Sequence, residues 1–238
     1  MKENWQEQLH SLLNCDLKEL YPLARSLNRK LEFYVGPTNS GKTYNAMQKL
    51  KSANSGLYLA PLRLLALEGY EDLKKENIDT SLITGEEQML NEDAAHVCST
   101  IEMIDYDLDV DVAVIDEIQM LDDIDRGWAW VNAIIGCPAK KVIMTGSVNA
   151  LEAIKKIATY LGEELEVVRH KRKTELKVNE KYTSLDNLQD GTALIAFSRA
   201  DVLKLRHRLK KNYTVSVIYG NLSPEVRRDE ARKFREKQ

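Results

Sequence analysis

The sequence predicts an α/β fold, in which a mostly parallel β-sheet is covered by helices on both faces. Three observations support this prediction. Short apolar runs alternate with helical patterns, one run leads into a phosphate-binding loop, and another ends in two carboxylates. Continuous apolar runs are typical of parallel strands, because such strands are buried on both faces. The 238 residues suffice for one large domain or two smaller ones.

The first 30 residues are predicted to be helical. Residues 5–27 alternate helix-forming residues with apolar ones, which favours short helices packed on the domain that follows. We therefore expect a helical segment at 1–30, a nucleotide-binding domain at 31–168, a linker at 169–175 and a partial second domain at 176–238.

A phosphate-binding loop follows the first predicted strand, at 31–35, and a helix is predicted from Tyr44 to Ser52. The loop has two glycines separated by four residues, then Lys and Thr. Backbone N–H groups at a helix N-terminus stabilise phosphates. Lys42 is expected to reach the outer phosphates, and the Thr43 hydroxyl to ligate magnesium. The predicted nucleotide-binding residues are Gly36, Pro37, Thr38, Asn39, Ser40, Gly41, Lys42 and Thr43.

Further strands alternate with helical patterns, for example those at 63–77 and 126–136. This rhythm favours parallel pairing through crossover helices. The strands are predicted at 56–60, 80–84, 95–99, 111–115, 141–145 and 165–168.

The strand at 111–115 leads directly into Asp116 and Glu117. Ligand-binding groups lie at the carboxyl ends of parallel strands, so this pair should share a sheet edge with the phosphate loop. We expect Asp116 to hold magnesium through water and Glu117 to act as general base towards the attacking water. Together with Lys42 these are the predicted catalytic residues. They indicate a P-loop NTPase domain of the RecA-like type that hydrolyses ATP or GTP.

A charged run from Arg169 to Lys173 predicts a solvated linker, after which the alternation restarts. Three strands would form only a thin sheet, so we expect an incomplete second RecA-like domain. Its strands are predicted at 176–182, 192–197 and 214–218, and its helices at 199–211 and 223–237.

The composition narrows the classes of partner. With a net charge of −3, any nucleic-acid surface must be a local patch. No apolar run approaches a membrane span, and the N-terminus resembles neither a secretory signal nor an Arg-rich transit peptide. Three scattered cysteines predict free thiols in a reducing compartment. We therefore expect a cytoplasmic protein without a membrane partner.

Three further sequence segments are informative, and they extend from Pro61 to Glu68, from Asp116 to Met120 and from Arg126 to Trp130. With the phosphate loop, they resemble the mitochondrial degradosome RNA helicases and their bacterial relatives, the suppressor-of-Var family of superfamily two. The likeness runs from Tyr21 to about Phe234. It implies the N-terminal portion of an ATP-dependent RNA helicase that uses ATP and Mg²⁺ on single-stranded RNA. DNA stays an alternative, because backbone contacts discriminate it weakly from RNA. Members of this family can work with exoribonucleases.

The resemblance also implies roles outside the nucleotide site. Gln119, Thr145, Gly146 and Ser147 match positions that couple the nucleotide to the facing domain, where this family usually has Cys-Gly-Glu in place of Thr-Gly-Ser. The residues that match RNA-contacting motifs are Pro61, Arg63, Thr84, Gly85, Thr100, Ser198, Arg199, Tyr219 and Gly220.

Two alternative functions share part of this pattern. Thymidine-kinase-type enzymes also combine a Gly-Pro-containing loop with a strand ending in Asp-Glu-x-Gln, but they usually carry zinc-binding cysteine pairs that this sequence lacks. The other alternative is a non-catalytic ATP- or RNA-binding module.

The arginine-bearing segment that completes the family's ATP site has no counterpart here, so we expect ATP turnover below about one per second. Trp128 and Trp130 are interpreted as core residues rather than base-stacking ones.

Overall fold

The structure is a computed structural model, and it describes residues 15–172, 175, 177–178 and 181–236. The chain divides into two compact units, Met1–Glu175 and Leu176–Gln238. The finer boundaries predicted after residues 30 and 168 stay predictions.

The described part of the first unit contains one eight-stranded sheet, with the strand order β4-β3-β5-β2-β6-β7-β1-β8. All neighbouring strands are parallel except β3 and β4, which are antiparallel. The strands are β1 Lys30–Val35, β2 Gly56–Ala60, β3 Thr80–Ile83, β4 Gln88–Met89, β5 His96–Thr100, β6 Val110–Ile115, β7 Ala139–Gly146 and β8 Leu165–Arg169.

Within the same described residues, five α-helices accompany this sheet, and four short 3₁₀ segments lie between its elements. The helices are α1 Pro22–Ser26, α2 Lys42–Lys51, α3 Arg63–Lys75, α4 Gly127–Gly136 and α5 Leu151–Leu161. The 3₁₀ segments are Leu17–Leu20, Ile101–Met103, Ile118–Asp122 and Val148–Ala150.

A hydrophobic core lies on each face of the sheet. Successive side chains of a strand point to opposite faces, so Phe33 belongs to one core and Tyr34 to the other. The first core includes Trp130 of α4, and the second includes Leu50 of α2 and Leu73 of α3. The mostly parallel sheet with helices on both faces is therefore confirmed. Among the strands in the described part of the first unit, the sequence missed only β4, which is two residues long.

Two arginines tie the N-terminal segment to the domain. The buried Arg29 donates to both carboxylate oxygens of Glu163 at 2.9 and 2.8 Å, and to the carbonyls of Ile134 and Cys137. Arg25 donates to the same carboxylate at 2.8 Å. The helices expected at 5–27 lie partly outside the described residues.

The described part of the second unit contains helices α6 Arg199–Leu209 and α7 Pro224–Glu236. The strands predicted at 192–197 and 214–218 are not formed, and the one at 176–182 lies partly outside the described residues. A strand exists only through pairing with neighbours, which these segments lack. Phe197 is fully exposed. The expected partial second sheet is therefore wrong for these residues.

Every helix within the described ranges is too short or too polar to cross a membrane.

Candidate functional site

The phosphate loop connects β1, in the sheet interior, to α2. Its two glycines are required for different reasons. Gly41 adopts a left-handed conformation, with φ of 81°, which favours glycine. Gly36 lies against the carbonyl oxygen of His170, which a Cβ atom at this position would strike. A residue with a Cβ would therefore be strained at Gly41 and would clash at Gly36.

Two side chains of the loop are placed for anionic chemistry. The Lys42 ammonium donates to the carbonyl oxygen of Pro37 at 2.8 Å, so its positive charge lies across the loop. Ser40 is buried, and its hydroxyl has no partner among the described residues. A buried hydroxyl without a partner is unusual, and a phosphate oxygen would satisfy it.

Asp116 lies directly after β6 and is 3% exposed. Its Oδ1 accepts hydrogen bonds from the hydroxyl of Thr43 at 3.0 Å, the hydroxyl of Thr145 and the backbone N–H of Glu117. Its Oδ2 accepts from the hydroxyl of Tyr58 at 3.1 Å. Burial, and then the nearby carboxylate, raise the pKa of Tyr58 well above its ordinary value, so the phenol stays a donor. The acidic pair and the phosphate loop therefore meet at one sheet edge.

Glu117 adopts a left-handed conformation, with φ of 54°. Such strain at a residue other than glycine costs about 1–3 kcal/mol and is common at functional sites. The Gln119 amide donates to the Glu117 carboxylate and accepts from the backbone N–H of Ser147 at 3.1 Å. A Cβ at Gly146 would lie 3.0 Å from the Gln119 amide oxygen. Of the four residues predicted to couple the nucleotide to another domain, Gln119 and Thr145 thus contact the acidic pair, and Gly146 and Ser147 lie against Gln119.

A pocket opens where these elements meet, and it includes Tyr44, which the sequence did not single out. Pro37 and Asp116 are not among the residues that line it. The lining residues are Gly36, Thr38, Asn39, Ser40, Gly41, Lys42, Thr43, Tyr44, Glu117, Gln119, Gly146 and Ser147.

These residues fit a magnesium-bound nucleoside triphosphate. Mg²⁺ is usually bound by one or two carboxylates together with substrate phosphates and water. Thr43 and Asp116 offer a hydroxyl and a carboxylate 3.0 Å apart. The Ser40 hydroxyl, which has no partner among the described residues, and the Lys42 ammonium are donors that suit phosphate oxygens.

The predicted RNA-contacting residues of the first unit follow the carboxyl ends of three neighbouring strands. Pro61 and Arg63 follow β2, Thr84 and Gly85 follow β3, and Thr100 ends β5. They therefore lie along the same edge as the phosphate loop.

Arg63 forms an ion pair with Glu86, and a Cβ at Gly85 would lie 3.7 Å from its guanidinium. The Thr84 hydroxyl accepts from the backbone N–H of Glu87 at 3.0 Å. The structure thus joins the loops after β2 and β3. The RNA-binding roles themselves stay predictions.

Sequence reasoning missed Arg126, which joins three loops. It donates to Glu102 and to the carbonyl of Pro61, and its guanidinium lies 5.4 Å from the Trp130 ring centre. Trp130 is fully buried and donates to the Asp116 carbonyl at 2.9 Å, as its interpretation as a core residue requires. That interpretation is wrong for Trp128, which is 57% exposed.

In the second unit, Ser198 caps helix α6 by accepting from the backbone N–H of Asp201 at 3.1 Å. The Arg199 guanidinium lies 5.5 Å from the ring centre of Tyr219. A Cβ at Gly220 would meet no described atom within 4 Å. The structure brings Arg199 and Tyr219 together, and their predicted RNA contacts stay predictions.

Comparison with solved structures supports the RecA-like fold. The structure of S. cerevisiae Dbp5 L327V bound to RNA and ADP BeF3 superposes with a TM-score of 0.58 at 17% identity, covering 92% of this chain and 67% of that one. Dbp5 bound to RNA and ADP BeF3 gives 0.56 at 16% identity, covering 93% and 67%. At this identity the likeness shows the fold alone.

Curated relatives are much more similar in sequence. The ATP-dependent RNA helicase SUPV3L1, mitochondrial, of Gallus gallus is 40% identical over 96% of this chain and 31% of its own length. The human protein of that name is 39% identical over the same shares. The ATP-dependent RNA helicase SUV3, mitochondrial, of Saccharomyces cerevisiae is 41% identical over 91% and 30%. The chain thus spans less than a third of the length of these relatives.

These names correct one expectation from the sequence. A cytoplasmic location is contradicted, because the relatives are named as mitochondrial proteins. Scattered cysteines indicate a reducing compartment and do not identify it. The matches also give the thymidine-kinase alternative no support.

Residues 18–170, which hold the phosphate loop, the acidic pair and Gln119, match the DEXQ-box helicase domain of Suv3. The chain therefore belongs to the Suv3 family of DEXQ-box helicases.

Proposed function

We propose that this chain carries the ATP-hydrolysing domain of an ATP-dependent RNA helicase. The proposal rests on the contact between the phosphate loop and the acidic pair, where the Thr43 hydroxyl donates to Oδ1 of Asp116 at 3.0 Å. The relatives named ATP-dependent RNA helicases support ATP as the nucleotide and RNA as the substrate.

The loop would bind the triphosphate through backbone N–H groups at the start of α2 and through the Lys42 ammonium. Lys42 would exchange its present contact with the Pro37 carbonyl for a phosphate oxygen, which is the stronger acceptor because it is charged. Ser40 would donate its hydroxyl, for which the described part of the chain offers no acceptor.

Thr43 and Asp116 would hold Mg²⁺, the Asp116 carboxylate acting through water. The metal, when bound, neutralises charge on the outer phosphates and orients them. Asp116 is held for this role by donors on both oxygens.

Glu117 would take a proton from the attacking water, which is the role of a general base. The Gln119 amide holds the Glu117 carboxylate from one side, and Gln119 is held in turn by the N–H of Ser147. A change in the position of Ser147 would therefore be passed to Glu117 through the Gln119 side chain.

Single-stranded RNA would lie along the loops that follow β2, β3 and β5. Arg63 offers a planar guanidinium and Thr100 a hydroxyl, and both groups bind phosphates. An exoribonuclease partner is supported by the family resemblance alone.

The substitution Glu117→Gln tests the catalytic part of this proposal. It should leave binding of ATP within about twofold and lower phosphate release by about 10²–10⁴-fold, because the amide cannot accept the proton. Asp122→Asn is a matched control, since Asp122 is an exposed carboxylate at the end of the 3₁₀ segment that directly follows Glu117.

Phosphate release would be measured in single turnover, with and without single-stranded RNA. Release that is unchanged in Glu117→Gln would contradict the assignment. ATP binding without any release in the parent chain would favour a non-catalytic module instead.

A further inference from the structure

Tyr58 places a phenol hydroxyl inside an otherwise apolar strand. It lies within β2, between Leu57 and Leu59, and is 3% exposed. Buried hydroxyls need a hydrogen-bond partner, and here the partner is the Asp116 carboxylate at 3.1 Å. A phenylalanine would fill the same space without this requirement. The hydroxyl therefore contributes a contact to the nucleotide site that packing alone does not need.

The two oxygens of Asp116 are held from different directions. Oδ1 accepts from Thr43 in the first turn of α2, from Thr145 near the end of β7 and from the N–H of Glu117, which follows β6. Oδ2 accepts from Tyr58, which belongs to the strand beside β6. The terminal torsion of an aspartate is soft, so hydrogen bonds decide how the carboxylate plane is turned. Tyr58 holds the oxygen that these three donors do not contact.

Helix α3 provides the space that this arrangement needs. Gly69 lies inside the helix, where glycine costs about 1 kcal/mol relative to alanine. A Cβ at Gly69 would lie 2.5 and 2.7 Å from two ring carbons of Tyr58. The tyrosine ring is thus positioned from the helix side as well as from the strand.

We propose that Tyr58 is a positioning residue for the magnesium site, acting through Asp116. This inference rests on the proposed function of the site. Side chains that orient a metal ligand usually change metal affinity by about 10–100-fold when they are removed.

The test compares Tyr58→Phe with the parent chain in equilibrium binding of a fluorescent, non-hydrolysable ATP analogue. MgCl₂ is titrated at fixed nucleotide, and binding is also measured in EDTA. We expect Tyr58→Phe to need about tenfold more Mg²⁺ for half-maximal binding, and to change binding in EDTA by less than about twofold.

Tyr34→Phe is the matched control. Tyr34 is also buried, lies in the same core, and donates to the Glu32 carboxylate at 3.1 Å rather than to Asp116. Its Mg²⁺ requirement should equal that of the parent chain. A general loss of packing would instead affect both variants, and would lower binding with and without Mg²⁺ alike.

Gly69→Ala tests the same contact from the side of helix α3, because the added Cβ would displace the Tyr58 ring. It should also raise the Mg²⁺ requirement. An unchanged requirement in Tyr58→Phe, with the parent chain Mg²⁺-dependent, would overturn this inference alone. A parent chain that binds the nucleotide without any Mg²⁺ dependence would overturn the proposed magnesium site and the inference with it.

Discussion

Arg126 holds Glu102 by two donor nitrogens, with Nε 2.7 Å and Nη2 2.6 Å from the same carboxylate oxygen. Nη2 also donates to the carbonyl of Pro61 at 2.7 Å. One guanidinium thus joins the loops that follow β2, β5 and β6. The first of these loops carries predicted RNA contacts, the second begins directly after another, Thr100, and the third begins with the acidic pair.

Replacing Arg126 should therefore weaken RNA binding more than nucleotide binding. In Arg126→Lys the charge is kept and the fork geometry is lost. A hydrogen bond to a charged group contributes about 1.5–3 kcal/mol, so we expect about a tenfold or greater loss of affinity for single-stranded RNA. Affinity for the ATP analogue should change by less than about twofold. Fluorescence anisotropy with labelled RNA measures the first quantity.

Arg25→Lys is the matched control for this experiment. Arg25 also joins one carboxylate, that of Glu163, to one carbonyl, that of Ile135, near the other end of α4. The Arg25→Lys substitution should lower the free energy of unfolding without a specific effect on the affinity for single-stranded RNA. Equal losses of RNA affinity in the two variants would refute a positioning role for Arg126.

Lys42→Ala should abolish detectable nucleotide binding at concentrations that saturate the parent chain. It removes the ammonium that lies across the phosphate loop. Lys49→Ala lies on the same helix, is exposed, and should bind like the parent chain. Isothermal titration with the ATP analogue gives both affinities. Retained tight binding in Lys42→Ala would mean that the loop does not hold the phosphates.

The sequence predicted the first unit well because its signals are local. Parallel strands such as 111–115 are buried on both faces and therefore appear as continuous apolar runs. The signal of the phosphate loop is equally local, since the backbone geometry at positions 36 and 41 requires glycine. Parallel topology alone was enough to predict that the phosphate loop and Asp116, which follows its strand, lie at the same edge of the sheet.

The missed features depend on contacts between distant segments. The partner of Tyr58 lies 58 residues away, and Arg126 meets Pro61 across 65 residues. An apolar run such as 192–197 predicts a strand, but pairing decides whether one forms. Local pattern carries no information about the presence of a neighbouring strand, so this prediction was wrong.

Alkaline pH should destabilise the first unit through Tyr34. Burial, and then the Glu32 carboxylate, raise the pKa of Tyr34 from 10.0 to about 12. An acid with a raised pKa in the folded state favours folding fully below its unfolded value. That contribution is lost as the pH rises through the folded value. The free energy of unfolding should therefore fall between pH 10 and about pH 12, and fall less in Tyr34→Phe.

Urea unfolding below pH 10 and within this window measures the effect. Tyr44→Phe, which removes an exposed hydroxyl, should follow the parent chain. An identical pH dependence in Tyr34→Phe and the parent chain would show that Tyr34 contributes nothing to it.

Glu163→Ala should destabilise the first unit by about 3–5 kcal/mol, because it leaves a buried guanidinium without its carboxylate. The Arg29 side chain is fully buried, and both Glu163 oxygens accept from it. Glu164→Ala changes the adjacent exposed carboxylate and should cost less than about 0.5 kcal/mol. Urea denaturation at neutral pH, followed by the far-UV circular dichroism signal, compares the three proteins. A loss below about 1 kcal/mol in Glu163→Ala would mean that water reaches Arg29 once the carboxylate is gone, and that the N-terminal segment is held by its carbonyl contacts to Ile134 and Cys137 instead.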